Sequence, residues 1–371
     1  MSEPAGAAPT LPDVHVAVYS DALALGGAEV NLSRVLTGLP ESVRVTIVAV
    51  QPEVLEWLGR QRPGAATRLI APIADRSDVK GILEHRRMFR RLGADVAHFN
   101  LSAASSCQWA ILAATTIPGL KRIAVENSPM GTWSSLSSRL KRFTSKRLHG
   151  HVAVGTTTAR LIEQQSGLPH GSVGTLYHGV PEVAHDPVDR PEEPTVLTVA
   201  RHDPVKGLDV LLEALALVAP PTRAGVIGDG PEGPALREQC ARLGLQDRVE
   251  FRELPWGEQR AADLMWAFDG LVLPSRVEGF PVTIAEAMLA GIPVVATDVG
   301  SVREAVEHGV TGWVVPSEDP RALAGAIGEL VADPERARAM GARAREVAEQ
   351  HFTVEATVTA YLELYRRVLA A

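Results

Sequence analysis

Cysteine is nearly missing from this 371-residue chain. Its two cysteines, Cys107 and Cys240, lie far apart, with no ligand-like spacing around either. That excludes a disulfide scaffold and a short-spaced zinc site, and it fits a reducing compartment. Positive charge is not in excess: 37 Lys and Arg stand against 44 Asp and Glu, a net charge of −7. A general basic field is lacking, so no nucleic-acid partner is expected. No run approaches the ~20 apolar residues of a membrane span. The first residues, MSEPAGAAPTLPD, have neither a basic start nor an apolar stretch. They read as a loose leader rather than a signal peptide, and the cytoplasm is the expected location. There is no repeat at a solenoid period and no G-x-G-x-x-G dinucleotide fingerprint.

What is present is ordinary globular composition, 46% hydrophobic and 22% charged, over a length that suits two domains of roughly 150–200 residues each. Short β-branched runs alternate with longer helical patterns, the rhythm of β/α units and parallel sheets. In the first half Val14–Ser20, Val43–Val50, Asp95–Phe99, Arg122–Val125 and Val152–Val154 read as strands. The stretch PEVAHDPVDRPEEP, Pro181–Pro194, breaks all periodicity and reads as a linker. The rhythm then restarts with strands at Thr195–Ala200, Ala224–Gly230, Arg248–Phe251, Gly270–Pro274 and Pro293–Thr297. A last helical segment around Val354–Leu369 carries Tyr361 and Tyr365 one turn apart. The fold class is α/β, two doubly wound domains, whose ligands bind at the carboxyl ends of the strands.

The sharpest chemical signal is SRVEGFPVTIAEAMLAGIPVVATDVG, Ser275–Gly300. A strand ends at Pro274, a loop carries Glu278, and a helix begins near Val282 and stops before Gly291, with Pro293 preventing continuation. Thr283 and Glu286 share one face of that helix. Its start offers free N–H groups for a phosphate, and Glu286 and Glu278 suit polyols such as a ribose or a sugar. Either glutamate alone is better explained as a surface acid; the order strand, acid, glycine, aromatic, helix, second acid argues otherwise. In VARHDPVKGLDVLLEAL, Val199–Leu215, Arg201 and Lys206 stand just before a helix, where two cations can neutralise a diphosphate. LGGAEV places Gly26 and Gly27 after the first strand, and IGDGPEGPAL places Gly228 at a strand-to-helix turn; both are weak signals alone.

Ser275–Gly300, followed by GVTGWVVP, resembles the signature of the retaining glycosyltransferase family 4, which has the GT-B fold of two Rossmann-like domains facing each other across a cleft. Its two glutamates separated by seven residues are matched by Glu278 and Glu286. The resemblance implies that Glu278 contacts sugar hydroxyls of the donor and Glu286 its ribose, while Gly279, Phe280, Pro281, Val282 and Thr283 face the diphosphate. It gives Arg201 and Lys206 the leaving diphosphate, brings Gly26 and Gly27 to the donor phosphate and acceptor, and sets Gly228 near the nucleotide. His202 departs from the apolar residue usual after the arginine. Glu126 stands where many relatives carry a histidine near the donor sugar and acceptor. It reads either as an idle surface acid or as a group touching the acceptor or the developing charge. YHGVPE, Tyr177–Glu182, reads as structural.

The implied domains are an acceptor-side unit over 1–184, a nucleotide-sugar unit over 191–351, and a helix over 352–371 returning to the first. The implied reaction moves a sugar from a nucleotide-diphosphate donor, UDP first and GDP behind it, to a hydroxyl of a lipid, glycan or small molecule, with retention. No Asp-x-Asp pair sits at a strand end, so no metal is expected, and no cofactor beyond the donor. The rivals are a sugar-nucleotide epimerase, which has no reason to carry both glutamates, and a non-catalytic partner that only binds the donor. HRRMFRRLG and SRLKRFTSKRLHGH set cations beside Leu, Met and Phe. They suit peripheral contact with an anionic membrane or a plain solvated helix face.

Overall fold

A computed structural model describes residues 13–128, 134–183, 193–219, 221–254 and 261–371. The expected leader, but for Asp13, and most of the expected linker, 184–192, lie outside the described residues. The chain divides into two compact units, Met1–Gly179 with Val354–Ala371, and Val180–Thr353.

The first unit runs β1 (Val14–Ser20), α1 (Gly27–Gly38), β2 (Val43–Ala49), α2 (Pro52–Gln61), β3 (Ala66–Leu69), α3 (Val79–Leu92), β4 (Val96–Leu101), α4 (Gln108–Ala114), β5 (Lys121–Glu126), α5 (Ser135–Ser145), β6 (Gly150–Val154), α6 (Thr156–Ser166) and β7 (Gly174–Leu176). All strands pair in parallel in the order β3-β2-β1-β4-β5-β6-β7. β1 and β4 are buried at every residue, as central strands covered on both faces must be. The strand order reverses between β1 and β4. Right-handed crossovers then send α1 and α2 to one face and α3 to α6 to the other.

The second unit runs β8 (Thr195–Val199), α7 (Leu208–Leu217), β9 (Arg223–Ile227), α8 (Gly233–Arg242), β10 (Val249–Arg252), α9 (Ala262–Met265), β11 (Gly270–Leu273), α10 (Val282–Leu289), β12 (Val294–Thr297), α11 (Val302–Ala305), β13 (Gly312–Val315), α12 (Pro320–Ala332) and α13 (Pro334–His351). Its parallel sheet has the order β10-β9-β8-β11-β12-β13, reversing between β8 and β11. Both units are thus doubly wound, each with one switch point where ligands bind in such sheets.

The last helix, α14 (Val354–Ala370), belongs to the first unit. Val358, Tyr361, Leu362, Leu364, Tyr365 and Val368 enter the core formed by β1, β2, α1 and α2. The tyrosine pair also grips a buried histidine on β4. The Tyr365 hydroxyl lies 2.9 Å from His98 Nδ1, and the Tyr361 ring stacks on the imidazole at 5.5 Å. Burial pushes the His98 pKa down to about 3, so the ring is neutral in the fold.

Candidate functional site

At the switch point of the second sheet, the loop after β8 meets the loop after β11. Lys206 Nζ donates to Glu278 Oε1 at 2.7 Å, and Ser275 Oγ donates to the same oxygen at 2.6 Å. The Glu278 side chain is 9% exposed and that of Lys206 26%, so the pair is sheltered yet open on one side. Asp203 caps the single 3-10 turn Pro204–Lys206, its carboxylate accepting from the Val205 N–H. The chain leaves that turn through Gly207 at φ 62°, so close to β11 that a Cβ there would sit 2.1 Å from the Pro274 carbonyl oxygen.

Arg276 holds the two loops together, and sequence reasoning missed it. Its guanidinium donates to both Asp209 oxygens at 2.8 and 2.7 Å, to Glu318, and to the Pro204 carbonyl at 2.5 Å. Its backbone N–H donates to the Val205 carbonyl at 2.8 Å. The bidentate Asp209 bond, then Glu318, raises the Arg276 pKa further above its ordinary value. The signal available was its place inside the motif, two residues before Glu278.

The backbone between the two glutamates is fixed from behind. Gly300, at φ 54°, packs so tightly that a Cβ would meet the Glu278 carbonyl at 2.1 Å, and the Ser301 N–H donates to the Gly279 carbonyl at 3.0 Å. Phe280 turns inward against Phe352, ring centroids 5.0 Å apart, and Pro281 precedes the first helical residue. On α10 the residues Ile284, Ala285, Ala287, Met288 and Leu289 are buried, while Val282, Thr283 and Glu286 are half-buried. The two polar residues therefore lie along the more open edge of the helix.

Gly228 closes the same end from β9. At φ 144° a Cβ on it would lie 1.9 Å from the Ala200 carbonyl, and Gly230 packs likewise on His202. His202 is buried, edge-on to Phe251 with centroids 6.1 Å apart, and neither ring nitrogen has a partner among the described residues. It packs as the apolar residue it replaces; burial, then the Arg237 charge, lowers its pKa. Arg201 is exposed at the start of the loop and makes no side-chain bond among the described residues.

The first sheet has its own polar cluster at its switch point. Glu29, 1% exposed on the first turn of α1, accepts from Ser20 Oγ at 3.1 Å and Asn100 Nδ2 at 3.3 Å. Asn127 Nδ2 donates to Asn100 Oδ1 at 2.9 Å. Burial raises the Glu29 pKa against these bonds. Gly26 and Gly27 open α1 above this cluster. Neither is demanded by its own backbone: Gly26 is extended, and a Cβ on Gly27 would meet nothing within 4 Å. Polar residues ending apolar strands, Ser20 in VHVAVYS and Asn100 in VAHFNL, were the unused sequence signal.

Glu126 ends β5 and has no solvent access. Both sequence readings, an idle surface acid and a group touching a ligand, require an accessible carboxylate, and the structure corrects them. Oε1 accepts from Lys141 Nζ on α5 and lies 2.7 Å from His151 Nε2 on β6, with Lys141 itself 2% exposed. Burial alone would raise the Glu126 pKa, but the Lys141 charge and His151 together hold it below the ordinary value. Lys141 was the missing signal: a lysine on the inner face of an otherwise exposed basic helix.

Residues 182–347 match the family model described as glycosyl transferases group 1. The chain is 37% identical over 183 residues to D-inositol 3-phosphate glycosyltransferase of Streptomyces scabiei, covering 46% of this chain and 40% of that protein. It is 32% identical over 238 residues to the GDP-mannose-dependent alpha-(1-6)-phosphatidylinositol monomannoside mannosyltransferase of Mycolicibacterium smegmatis, covering 57% and 61%. The chain thus spans less than two thirds of the length of these curated relatives. The crystal structure of Anabaena HepE in complex with UDP superposes on 94% of this chain and 98% of its own with a TM-score of 0.80 at 20% identity, a likeness of fold.

Proposed function

From the match of residues 182–347 to the group 1 glycosyl transferases and the GT-B fold, we propose that the chain is a family 4 glycosyltransferase that moves a sugar from a nucleoside diphosphate sugar to an acceptor hydroxyl. The observation that carries this reading is the sheltered Lys206–Glu278–Ser275 cluster beside the open edge of α10, at the switch point between β8 and β11. A cation and a carboxylate 2.7 Å apart suit the junction where a sugar meets its diphosphate. Lys206, Arg201 and the N–H groups at the start of α10 take the phosphates, Glu278 takes sugar hydroxyls, and Glu286 takes the ribose.

In the reaction the bond from the anomeric carbon to the diphosphate breaks, the acceptor oxygen bonds to that carbon, and the acceptor's proton passes to a leaving phosphate oxygen. Retention follows if the acceptor enters on the face the diphosphate leaves. Negative charge grows on the diphosphate, and cations already in place stabilise it without reorganising. We read the reaction as metal-independent for that reason. Glu126, buried against Lys141 and His151, enters as a positioning residue at the end of β5 and not as a contact. A UDP sugar is the first donor proposed, supported by the UDP bound in the similarly folded HepE. A GDP sugar is the second, supported by the GDP-mannose-dependent relative. The inositol-derived substrates in the relatives' names support a polyol hydroxyl as acceptor. A cytoplasmic or membrane-peripheral setting fits such charged donors, which do not cross bilayers.

A thermal-shift titration tests the reading. UDP or GDP should raise the melting temperature, by an increment that grows with ligand concentration. Glu286→Gln should weaken nucleoside diphosphate binding, while Glu278→Gln should spare it and lower turnover. Donor hydrolysis without acceptor, surviving EDTA, is the expected activity. Binding without any hydrolysis or transfer would favour a non-catalytic partner, free epimerised donor would favour an epimerase, and no shift with any nucleotide would sink the reading.

A further inference from the structure

A different surface lies on the first unit, and it does not depend on the transferase reading. α3, α4 and α5 lie side by side on one face of the sheet, α4 between the other two. From Val79 to Arg147, the stretch that holds them, the sequence carries twelve Lys and Arg against three Asp and Glu, in a chain whose net charge is −7. Of the three acids, Glu126 is buried against Lys141 and Glu84 pairs with Lys80. Among the described residues none of Arg87, Arg90, Arg91 and Arg139 has a carboxylate partner, and all four are exposed.

The outermost stripe of a surface helix is normally polar, and here it is not. On α3 the exposed positions Val79 and Leu83 precede Arg87 at successive four-residue steps, 60% and 41% exposed. On α5 the exposed stripe runs Leu136, Arg139 and Phe143, with Leu136 48% and Phe143 41% exposed, and Arg147, just past the helix end, stacks its guanidinium on the Phe143 ring. Each helix thus shows two large apolar side chains to solvent, interleaved with cations, while its other face packs inward through residues such as Met88, Phe89 and Thr144. Trp109 and Leu112, half-buried on α4, sit between them.

We propose that this α3–α4–α5 face docks on an anionic lipid bilayer, its arginines among the headgroups and Val79, Leu83, Leu136 and Phe143 at the acyl boundary. Charge complementarity calls for a polyanion. The apolar half of each stripe chooses between polyanions, because a lipid surface can bury it and a nucleic acid or soluble acidic polymer cannot.

The test is co-sedimentation of the full chain with vesicles of phosphatidylglycerol and phosphatidylcholine, against phosphatidylcholine alone, at low and high salt. Binding should require the anionic lipid and weaken at least tenfold in high salt. Leu83→Ser with Leu136→Ser should lower affinity for anionic vesicles at least tenfold while melting unchanged, and so should Arg87→Glu with Arg139→Glu. The first double variant separates docking from simple charge attraction. No binding to anionic vesicles, equal binding by the serine variant, or capture by heparin or RNA in preference to vesicles would each overturn the proposal.

Discussion

At the scale of single residues, Lys206 carries the most. Its ammonium already neighbours the carboxylate proposed to hold the sugar, so it needs no rearrangement to meet charge developing on the diphosphate. Losing one such preorganised contact costs ~3–4 kcal/mol at the transition state. Lys206→Ala should therefore lower turnover on the order of 100- to 1000-fold with an unchanged far-UV circular dichroism spectrum; a folded variant at the wild-type rate would exclude the role. Much of this cluster was legible in the sequence, since Glu278, Glu286, Arg201 and Lys206 lie within two continuous motifs. Arg276 lies within one of those motifs, but its role there, like that of Lys141, depends on partners distant in sequence: Asp209 and Glu318 for one, Glu126 for the other. Periodicity reports which face of a helix is apolar, but not which buried position holds a paired charge.

At the scale of elements, the loop from Arg201 to Gly207 behaves as one piece. Gly207 needs a left-handed backbone, worth about 1–2 kcal/mol against any side chain, and a Cβ there would also stand 2.1 Å from the Pro274 carbonyl oxygen. Gly207→Ala should lower the melting temperature and, by shifting the turn that carries Lys206, lower turnover as well. Gly27→Ala meets open space, so it should leave the melting temperature unchanged while impairing transfer. Differential scanning fluorimetry beside a transfer assay separates the two. The C-terminal helix makes the converse point. α14 is last in sequence yet supplies six buried apolar side chains to the first unit. At ~1.5–3 kcal/mol for each buried side chain, that contribution rivals the ~5–15 kcal/mol stability of a whole domain. A chain ending at Thr353 should lose the first unit's cooperative melting transition and retain that of the second. The strands that sequence reasoning missed have physical reasons. β3 (ATRL) is an exposed edge with no apolar run and β7 has three residues, whereas β13 (GWVV), no shorter than β11 and β12, was read only as part of the signature segment GVTGWVVP.

At the scale of the whole molecule, the buried histidines set how the fold responds to acid. His98 beneath α14 and His178 beside Arg34 are both held near a pKa of about 3, by burial first and, for His178, by the Arg34 charge next. An unfolded chain protonates each near pH 6.5, whereas the native chain does so only near pH 3. Between those values the unfolded state binds more protons, so stability falls as pH is lowered, at about 1.4 kcal/mol per pH unit for each histidine. His15, His85, His149 and His202 are shifted downward too, and they add to the same trend. The raised pKa values of Asp21 and Glu29 act in the opposite sense, because their native forms take up protons before the unfolded chain does. The depressed pKa of Glu126 adds to the acid loss only below the ordinary carboxylate range. Urea midpoints measured from pH 7 down to pH 5 should therefore fall steadily, before most carboxylates titrate. His98→Gln keeps a polar partner for the Tyr365 hydroxyl but cannot take up a proton. Its stability should be lower at pH 7, and its decline toward pH 5 should be shallower than that of the parent by about one histidine's slope. A parent whose midpoint is flat over that range, or a His98→Gln variant that declines in parallel with it, would mean that this buried imidazole does not govern the acid response.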